Sequence, residues 1–165
     1  MILSKTPLRI SFAGGGSDYF NPNSNQPGRV IVSTINKYMY VCLNEKYNKT
    51  IRAAYSKTEN VQSSYKLEHD IIREALKFHG IFNGVELSTL ADIPSSGSGL
   101  ASSSALSVGL SHVLRKYKGL KISKKLLATD ACTIEIKKCK KPIGMQDQYS
   151  TAFGGLNKIE FFKNK

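Results

Sequence analysis

The stretch that decides the fold reads Pro94-Ser95-Ser96-Gly97-Ser98-Gly99-Leu100-Ala101-Ser102-Ser103-Ser104-Ala105. Residues 85–90 before it alternate apolar and polar side chains, which predicts a strand, and residues 106–114 after it carry apolar side chains at helical spacing. The stretch is therefore a Gly/Ser loop between a strand and a helix. Its glycines let backbone N–H groups approach an anion, and the helix start adds free N–H groups and roughly half a positive charge. The simplest ligand for such a loop is a nucleoside triphosphate.

Two well-known phosphate-binding loops do not match this stretch. A Walker A loop ends in Gly-Lys-Ser or Gly-Lys-Thr, and the stretch contains no lysine. A dinucleotide-binding loop has a third glycine where Ser102 stands and lies in a βαβ unit, with which this chain does not open. A flexible Ser/Gly linker is the structural alternative, but linkers are rarely flanked by apolar runs on both sides. The pattern therefore favours a phosphate loop of another type.

The size and composition of the chain predict one packed domain without a membrane span. Its 165 residues suffice for one domain, and 41% of them are hydrophobic and can build a core. No run approaches the ~18 apolar residues of a membrane span, and the N-terminus lacks the features of a signal peptide. The cysteines Cys42, Cys132 and Cys139 are odd in number and lack metal-ligand spacing. We therefore expect free thiols in the cytoplasm and no membrane partner.

The net charge of +12 is concentrated in the second part of the chain. From Arg115 onward there are 13 Lys and Arg residues against 4 Asp and Glu residues, whereas residues 1–114 hold 11 against 8. A basic half could bind nucleic acid, but no nucleic-acid-binding motif accompanies it. We expect a solvated basic surface that favours phosphorylated small molecules, and no nucleic-acid partner. A basic nucleic-acid-binding module stays as an alternative of a different class.

A second candidate site lies near the N-terminus. Residues 8–13 alternate apolar and polar side chains, which predicts a strand, and Gly14-Gly15-Gly16-Ser17-Asp18-Tyr19 follows. Three consecutive glycines permit unusual backbone angles and a close ligand approach. Arg9 and Asp18 are the charged residues that flank this turn. A plain glycine turn with a capping aspartate is the structural alternative.

The remaining pattern predicts strands first and helices later. Residues 30–35 and 38–43 are expected to form two strands joined by a tight turn at Asn36-Lys37. A later helix is expected to begin at the N-cap Ser123 and to run to about Cys139. Because strands and helices come in blocks rather than in strict alternation, the predicted fold class is α+β.

Two acidic residues of the last third have ordinary explanations when the pattern alone is considered. Glu135 lies in the predicted helix among lysines, and the pattern favours a solvated glutamate paired with them. Asp147 lies in a turn after Pro142 that can open a short helix, so a helix N-cap is one alternative for it. The three histidines form no cluster in the sequence, and we assign them no chemistry.

Three motifs in this order resemble those of the GHMP kinases, a family of small-molecule kinases that includes galactokinase, homoserine kinase and mevalonate kinase. Residues 7–19 resemble the first motif and residues 94–103 the second. Pro142-Ile143-Gly144-Met145-Gln146-Asp147-Gln148-Tyr149 resembles a Pro-x-Gly-x-x-Asp-Gln-aromatic stretch of galactokinases. Within the family, the glycine run, this third stretch and Phe153-Gly154-Gly155-Leu156-Asn157 look most like the D-glycero-D-manno-heptose 7-phosphate kinases.

The resemblance implies a fold and an activity. The implied fold is a GHMP-kinase N-terminal domain over residues 1–165, with a left-handed β-α-β crossover and a mixed sheet with helices on one face. The implied activity is ATP-dependent phosphorylation of D-glycero-D-manno-heptose 7-phosphate at its anomeric oxygen, which gives the 1,7-bisphosphate used for bacterial surface sugars. ATP and Mg²⁺ are the implied cofactors, and a small-molecule sugar phosphate is the implied partner.

The resemblance also implies roles for individual residues. Ser103 and Glu135 match the magnesium-binding serine and glutamate of the family, and Asp147 matches its catalytic aspartate. Arg9 matches an arginine near the reacting group, and Asp18 matches an aspartate that holds sugar hydroxyls. The implied triphosphate loop consists of Gly97, Ser98, Gly99, Leu100, Ala101, Ser102 and Ser103. The implied sugar site consists of Arg9, Gly15, Gly16, Ser17, Asp18 and Asp147.

The sequence departs from the family pattern at three points. Ala101 stands where the family usually has Gly or Ser, so we expect the loop to pack but one backbone N–H to be tilted. Gly15 and Gly16 replace the Glu-His of galactokinases, which leaves room for a sugar phosphate bulkier than galactose. The family's C-terminal domain, with a third glycine-rich motif, is expected to be absent from a chain that ends at Lys165.

Two further interpretations of the same motifs stay open. One is a fucose-type or other sugar 1-kinase, because related enzymes share these motifs and phosphorylate other sugars. The other is a nucleotide- or sugar-binding domain without turnover, because the resemblance covers only the N-terminal part of a family enzyme.

Overall fold

The computed structural model describes residues 1–18, 27–94 and 98–162. Within them the chain forms six strands: β1 (Ile2–Ala13), β2 (Gly28–Glu45), β3 (Ile51–Ala54), β4 (Thr58–Val61), β5 (Val85–Ala91) and β6 (Leu156–Phe161). The α-helices are α1 (Asp70–Phe78), α2 (Ser102–Tyr117), α3 (Lys124–Cys132) and α4 (Gln146–Phe153). A 3₁₀ turn (Ser64–Lys66) precedes α1, and a π-helical segment (Thr133–Lys138) continues α3. In this described part, no helix has the length and apolarity that crossing a bilayer requires.

The described strands form one mixed sheet. Its order is β1-β2-β5-β3-β4, and β6 pairs with the first part of β2. Strands β3 and β5 are parallel, and the other pairs are antiparallel. The chain passes from β3 to β5 through β4 and α1. The sheet is mixed and its strands and helices are not strictly alternating, so the α+β prediction is confirmed.

The predicted tight turn at Asn36-Lys37 is wrong, because β2 is one continuous strand of 18 residues. Along β1, Pro7 pairs with Tyr38 and Arg9 pairs with Thr34, so the chain bulges where the turn was expected. The tightest hairpin turns require positive φ angles, and neither central residue has one. Strands β6 and β5 pair with the two halves of β2 in succession, which keeps the whole strand extended.

The helices cover one face of the sheet, as predicted. In β1, Ser4, Thr6 and Leu8 are buried, whereas Leu3 and Lys5 between them are exposed. The buried side chains of the sheet form a core with those of α1 and α2, and this core includes Leu8, Val41, Leu43, Leu87, Ile72, Leu76, Leu110 and Leu114. Residues on the opposite face of the sheet are half-buried or exposed.

Helix α2 packs directly on β1 through Gly109. A methyl group at Gly109 would lie 3.0 Å from Cγ2 of Val41 and 3.1 Å from the hydroxyl oxygens of Ser4 and Thr6, so glycine allows this close approach without displacing these neighbours. The Ser4 hydroxyl donates a hydrogen bond to the Gly109 carbonyl at 3.0 Å. At the N-terminal end of α2, the backbone N–H of Arg9 donates to the carbonyl of Leu100 at 3.1 Å. This packing places the phosphate loop beside the middle of β1.

The helix predicted after Ser123 is present, but its last part is π-helical. The Ser123 hydroxyl accepts a hydrogen bond from the N–H of Leu126 at 3.2 Å, which confirms the predicted N-cap. From Thr133 the hydrogen bonds widen, and the N–H of Cys139 donates to the carbonyl of Ile134 at 2.8 Å, five residues earlier. Such π-helical turns occur often at functional sites, and this one carries Glu135.

Candidate active site

Arg9 lies at the centre of the candidate site. Its Nε and Nη2 atoms donate to Oδ1 of Asp147 at 2.9 and 2.5 Å, and its Nη1 atom donates to the carbonyl of Gly99 at 2.7 Å. Arg9 is buried, so these bonds are shielded from water. The guanidinium therefore joins the phosphate loop to the first turn of α4, and it brings two of the sequence motifs into direct contact.

Asp147 lies inside the first turn of α4, whose N-cap is Met145, so the N-cap alternative is excluded. Both hydrogen bonds from Arg9 reach Oδ1, and within the described residues Oδ2 accepts none. The side chain of Asp147 is 25% exposed. One oxygen is therefore anchored and the other is free to accept a hydrogen bond, or a proton, from a bound ligand.

Glu135 is fully buried and is held by three neutral donors. Its Oε1 accepts a hydrogen bond from Ser103 at 2.8 Å. Its Oε2 accepts one from Ser104 at 2.8 Å and one from Nε2 of Gln148 at 2.5 Å. The interpretation as a solvated glutamate paired with lysines is therefore wrong, because the π-helical turn faces inward rather than toward water.

The contact between Ser103 and Glu135 fits a divalent cation. Both offer oxygen ligands, and Mg²⁺ is usually held by one or two carboxylates together with phosphate oxygens and water. Among the described residues, Glu135 has no cationic partner within 4.0 Å, so a buried carboxylate lies beside neutral groups only. Ser103 itself is exposed whereas Glu135 is fully buried, so solvent reaches the pair from the side of Ser103. The described part of the chain contains no cluster of three acidic, His or Cys residues, which matches a site that phosphate oxygens complete.

The described part of the phosphate loop begins at Ser98. Gly99 and Ala101 both have positive φ angles, +66° and +62°, and Ala101 is the N-cap of α2 without a side-chain capping bond. The hydroxyls of Ser98 and Ser102 lie 3.2 Å apart. The first N–H groups of α2 have no intrahelical partner, as at every helix start, and can bind an anion.

A pocket of about 230 Å³ lies between the first and third motifs. Its lining consists of Gly16, Asp18, Pro142, Ile143, Gly144, Gln146 and Asp147. Among the described residues of the lining, the charged side chains are the two carboxylates of Asp18 and Asp147, which suit a ligand that presents several hydroxyl groups. Asp147 belongs to this lining, so a ligand hydroxyl in the pocket can lie next to its carboxylate.

Asp18 and Gly144 fit together in this pocket. The backbone N–H of Gln146 donates to Oδ2 of Asp18 at 3.0 Å. A methyl group on Gly144 would lie 2.0 Å from the same oxygen. Gly144 therefore leaves the space that the Asp18 carboxylate fills, and this carboxylate is aligned along the pocket wall.

Not every residue predicted for the sugar site lines the pocket. Gly15 and Ser17 are outside its lining. The Ser17 hydroxyl donates to the carbonyl of Arg29 at 2.8 Å and accepts from its N–H at 3.0 Å, so this side chain ties the glycine turn to β2. Gly97 of the predicted phosphate loop and Tyr19 of the first motif lie outside the described residues.

Sequence reasoning did not assign Ser104, Gln148 or Gly144 to the site. Ser104 belongs to a run of serines in which no local pattern singles it out. Gln148 follows Asp147 directly, yet its partner Glu135 belongs to another helical element. Only the packing of α2, the π-helical segment and α4 reveals these contacts.

The three cysteines are free, as the sequence predicted. Burial raises the pKa of Cys132 to about 12, and the negative charge of nearby Glu135 adds to the rise. Burial also raises the pKa of Cys139 to about 11. Both thiols therefore stay protonated at neutral pH and are poor nucleophiles.

Comparison with known families agrees with this fold and site. The family model described as "GHMP kinases N terminal domain" matches residues 59–155. The chain therefore belongs to the GHMP kinase family.

Curated relatives of the chain are sugar kinases. A D-glycero-alpha-D-manno-heptose 7-phosphate kinase of Campylobacter jejuni is 31% identical over 179 residues, which cover 99% of this chain and 52% of that protein. A galactokinase of Thermotoga petrophila is 25% identical over 159 residues, which cover 91% of this chain and 43% of that protein. The chain thus spans about half the length of the curated relatives it matches.

Solved structures show the same fold. The crystal structure of a D-glycero-D-manno-heptose 1-phosphate kinase from Bacteroides thetaiotaomicron superposes with a TM-score of 0.85 at 31% identity, over 99% of this chain and 57% of that one. The galactokinase of Lactococcus lactis in complex with galactose has a TM-score of 0.73 at 22% identity, over 92% of this chain and 42% of that one. At 22% identity, the likeness to this galactokinase shows a shared fold and nothing more.

Proposed function

We propose that this chain forms the ATP- and sugar-binding part of a kinase that phosphorylates D-glycero-D-manno-heptose 7-phosphate at its anomeric oxygen. The observation that carries the proposal is the bridge made by Arg9, which holds the carbonyl of Gly99 and the carboxylate of Asp147 at once. A triphosphate on the loop and an acceptor hydroxyl beside Asp147 would then be neighbours. Phosphoryl transfer depends mainly on such positioning and on charge stabilisation.

In this proposal Asp147 acts as the general base. Its free Oδ2 accepts the proton of the anomeric hydroxyl while Arg9 holds Oδ1 in place. Asp18, aligned by the N–H of Gln146, accepts hydrogen bonds from other sugar hydroxyls. The loop residues 98–103 and the start of α2 hold the phosphates of ATP.

The cation-binding part of the proposal rests on Ser103 and Glu135. These two side chains would hold Mg²⁺ together with phosphate oxygens, because both are oxygen donors and they already contact each other. When bound, the ion would neutralise the negative charge that develops on the transferred phosphoryl group. Ser103 also lies at the start of α2, next to the proposed phosphate loop.

Two observations bear on the substrate. The relatives that are 31% identical are named as heptose phosphate kinases, which supports a heptose phosphate for this chain. Gly16, which lines the pocket without a side chain, leaves space for a long acceptor.

A fucose-type sugar 1-kinase is the second candidate. A binding domain without turnover is the third, since the chain spans about half of its curated relatives.

The deciding experiment is a measurement of ADP release with Mg·ATP and one acceptor at a time: heptose 7-phosphate, fucose, galactose or none. Release with heptose 7-phosphate alone is the expected result for an active chain. Release with fucose alone would support the second candidate. No release, with ATP binding intact in calorimetry, would support the third. No release and no ATP binding would overturn the proposal.

A further inference from the structure

We propose that Ser104 and Gln148 are positioning residues that fix Oε2 of Glu135, so that Oε1 is the oxygen presented to a divalent cation. The inference rests on the proposed function, in which Glu135 and Ser103 hold that cation. It assigns different tasks to the two oxygens of one carboxylate, and it assigns roles to two side chains that touch neither substrate nor nucleotide.

The two oxygens of Glu135 differ in the hydrogen bonds that they accept. Oε2 of Glu135 accepts from Ser104 at 2.8 Å and from Gln148 at 2.5 Å, and both donors are buried, at 1% and 0% exposure. Within the part of the chain that the structure describes, Oε1 accepts a single hydrogen bond, from the exposed Ser103. Oε2 thus points into the protein with its bonding capacity used, and Oε1 lies on the side from which a cation can enter.

The carbonyl end of the Gln148 side chain is buried and unpaired among the described residues. Its Nε2 donates to Glu135, but its Oε1 is buried and has no hydrogen-bond partner among the described residues. A buried acceptor without a partner destabilises the folded state. A leucine of similar size would avoid this penalty and fill the same space. Gln148 therefore destabilises the folded state through its unpaired Oε1, while its Nε2 supplies the hydrogen bond to Glu135.

The hydrogen bond from Gln148 to Glu135 lies next to the proposed catalytic base. Gln148 directly follows Asp147 in α4, so one helical turn carries both the proposed base and a donor to the cation-binding carboxylate. Ser104 likewise directly follows Ser103 in α2. Each positioning residue is adjacent in sequence to a residue with a direct role. The cation site and the base are therefore held in one fixed geometry.

The test measures how much Mg²⁺ strengthens ATP binding. Calorimetry gives the Kd of ATP for the whole chain in excess Mg²⁺ and in EDTA, for the unaltered protein and for Gln148→Leu and Ser104→Ala. We expect the Mg²⁺-dependent gain in affinity to fall by about tenfold or more in each variant. The affinity in EDTA should stay within about twofold. A purely structural role would change both affinities together, or only the Tm.

Ser111→Ala is the matched control. Ser111 is a fully buried serine of the same helix, and its hydroxyl donates to the carbonyl of Ser107 at 2.9 Å, away from Glu135. This variant should keep the whole Mg²⁺-dependent gain. Ser104→Ala removes only one bond, so it carries the test if Gln148→Leu does not fold.

The outcomes separate this inference from the proposed function. If the unaltered chain shows a Mg²⁺-dependent gain and both variants keep it, the positioning roles are wrong while the proposed function stands. If the unaltered chain binds ATP equally well with and without Mg²⁺, the cation site itself is wrong, and the positioning roles are overturned with it. If the loss occurs in Ser111→Ala as well, it reflects general damage to α2, which also overturns the inference.

Discussion

Two carboxylates of the site each have one oxygen anchored by two protein hydrogen bonds. Among the described residues, the other oxygen accepts no bond in Asp147 and a single bond from Ser103 in Glu135. In Asp147 the donor is a guanidinium, and in Glu135 the donors are a hydroxyl and an amide. Anchoring restricts the rotation of the carboxylate, so the other oxygen is positioned before a ligand arrives. Such preorganisation lowers the barrier, because less reorganisation is needed during the reaction.

Asp147→Asn tests the proposed base at the scale of one residue. Asparagine keeps the shape of the side chain but cannot accept the proton, so turnover should fall by about 10²–10⁴-fold. Turnover is measured as ADP release with heptose 7-phosphate. Asp70→Asn is the matched control, because Asp70 lies in α1 and outside the pocket. Unchanged turnover in Asp147→Asn would remove the base assignment.

Gly144→Ala tests the fit between the third motif and Asp18. The added methyl group would lie 2.0 Å from Oδ2 of Asp18, so this carboxylate must move. A hydrogen bond to a charged group contributes about 1.5–3 kcal/mol, so sugar affinity should weaken by roughly tenfold or more. Calorimetry with the sugar measures the effect, and ATP affinity in the same variant is the internal control. An unchanged sugar affinity would contradict the role of Asp18.

At the scale of elements, the start of α2 is strained where the sequence departs from the family pattern. Ala101 has a φ of +62° and is the N-cap of α2. A residue with a Cβ is disfavoured in this left-handed conformation, which glycine adopts readily. The helix start keeps its free N–H groups at the cost of this strain.

Ala101→Gly should therefore stabilise the protein. Relief of the left-handed strain is worth about 1–2 kcal/mol, and the extra freedom of glycine in the unfolded chain removes about 0.5–1 kcal/mol of it. The net gain in the free energy of unfolding should be a few tenths to about 1 kcal/mol, measured by urea denaturation. Ala105→Gly, the same change inside α2, should instead destabilise by about 1 kcal/mol. Equal destabilisation in both variants would contradict the strain at Ala101.

The π-helical segment shows why helix type escapes sequence patterns. The residues after Cys132 have ordinary helix-forming side chains, and the pattern could not separate an α-helix from a π-helix. Here the wider turn accompanies the burial of Glu135 against α2 and α4. The stabilisation comes from contacts with other elements rather than from local propensity.

At the scale of the whole molecule, a buried ionic cluster joins three helices away from the pocket. Asp130 of α3 accepts hydrogen bonds from Nε and Nη2 of Arg115 in α2, at 2.5 and 2.9 Å. Nε2 of His79, at the end of α1, lies 3.8 Å from the same carboxylate and is buried without a hydrogen-bond partner among the described residues. The cluster therefore fixes α1 and α3 against α2.

This cluster predicts a dependence of stability on pH. Burial lowers the pKa of His79 below 6.5, although Asp130 opposes this shift and Arg115 adds to it. Unfolding restores the ordinary pKa, so the unfolded state binds the proton more readily. Stability should therefore be complete above about pH 6.5 and should fall as the pH drops below it, toward the lower pKa of the folded state.

The Tm of the unaltered chain and of His79→Asn, measured between about pH 7.5 and about pH 5.5, checks this expectation. The decrease of Tm on acidification should be smaller in the variant, since its side chain does not titrate. His112→Asn, a change in α2 outside this cluster, is the comparison. Burial lowers the pKa of His112 as well, so this variant should remove a part of the decrease that is separate from the part due to His79. A decrease of the same size in all three proteins would exclude His79 as its source.

The sequence by itself predicted the GHMP kinase family and the α+β class, which the family model and the fold confirm, and it named candidate residues for the chemistry. Each motif is a short contiguous run, and its chemistry depends on residue types at fixed spacing, which a sequence displays directly. Arg9, Asp147, Ser103 and Glu135 were therefore named without coordinates, through the resemblance of these motifs to the family, and their roles stay predictions. The strand at residues 8–13 and the N-cap Ser123 were also predicted, because alternation and capping are local properties.

Only the tertiary structure decided how these residues meet. It joined Arg9 to Asp147, buried Glu135, merged two expected strands into β2 and gave the two oxygens of Glu135 different partners. It also brought Gly144 against Asp18 and gave Gln148 its partner. All these features depend on contacts between elements that are far apart in the chain, and no local pattern of side chains encodes such a contact.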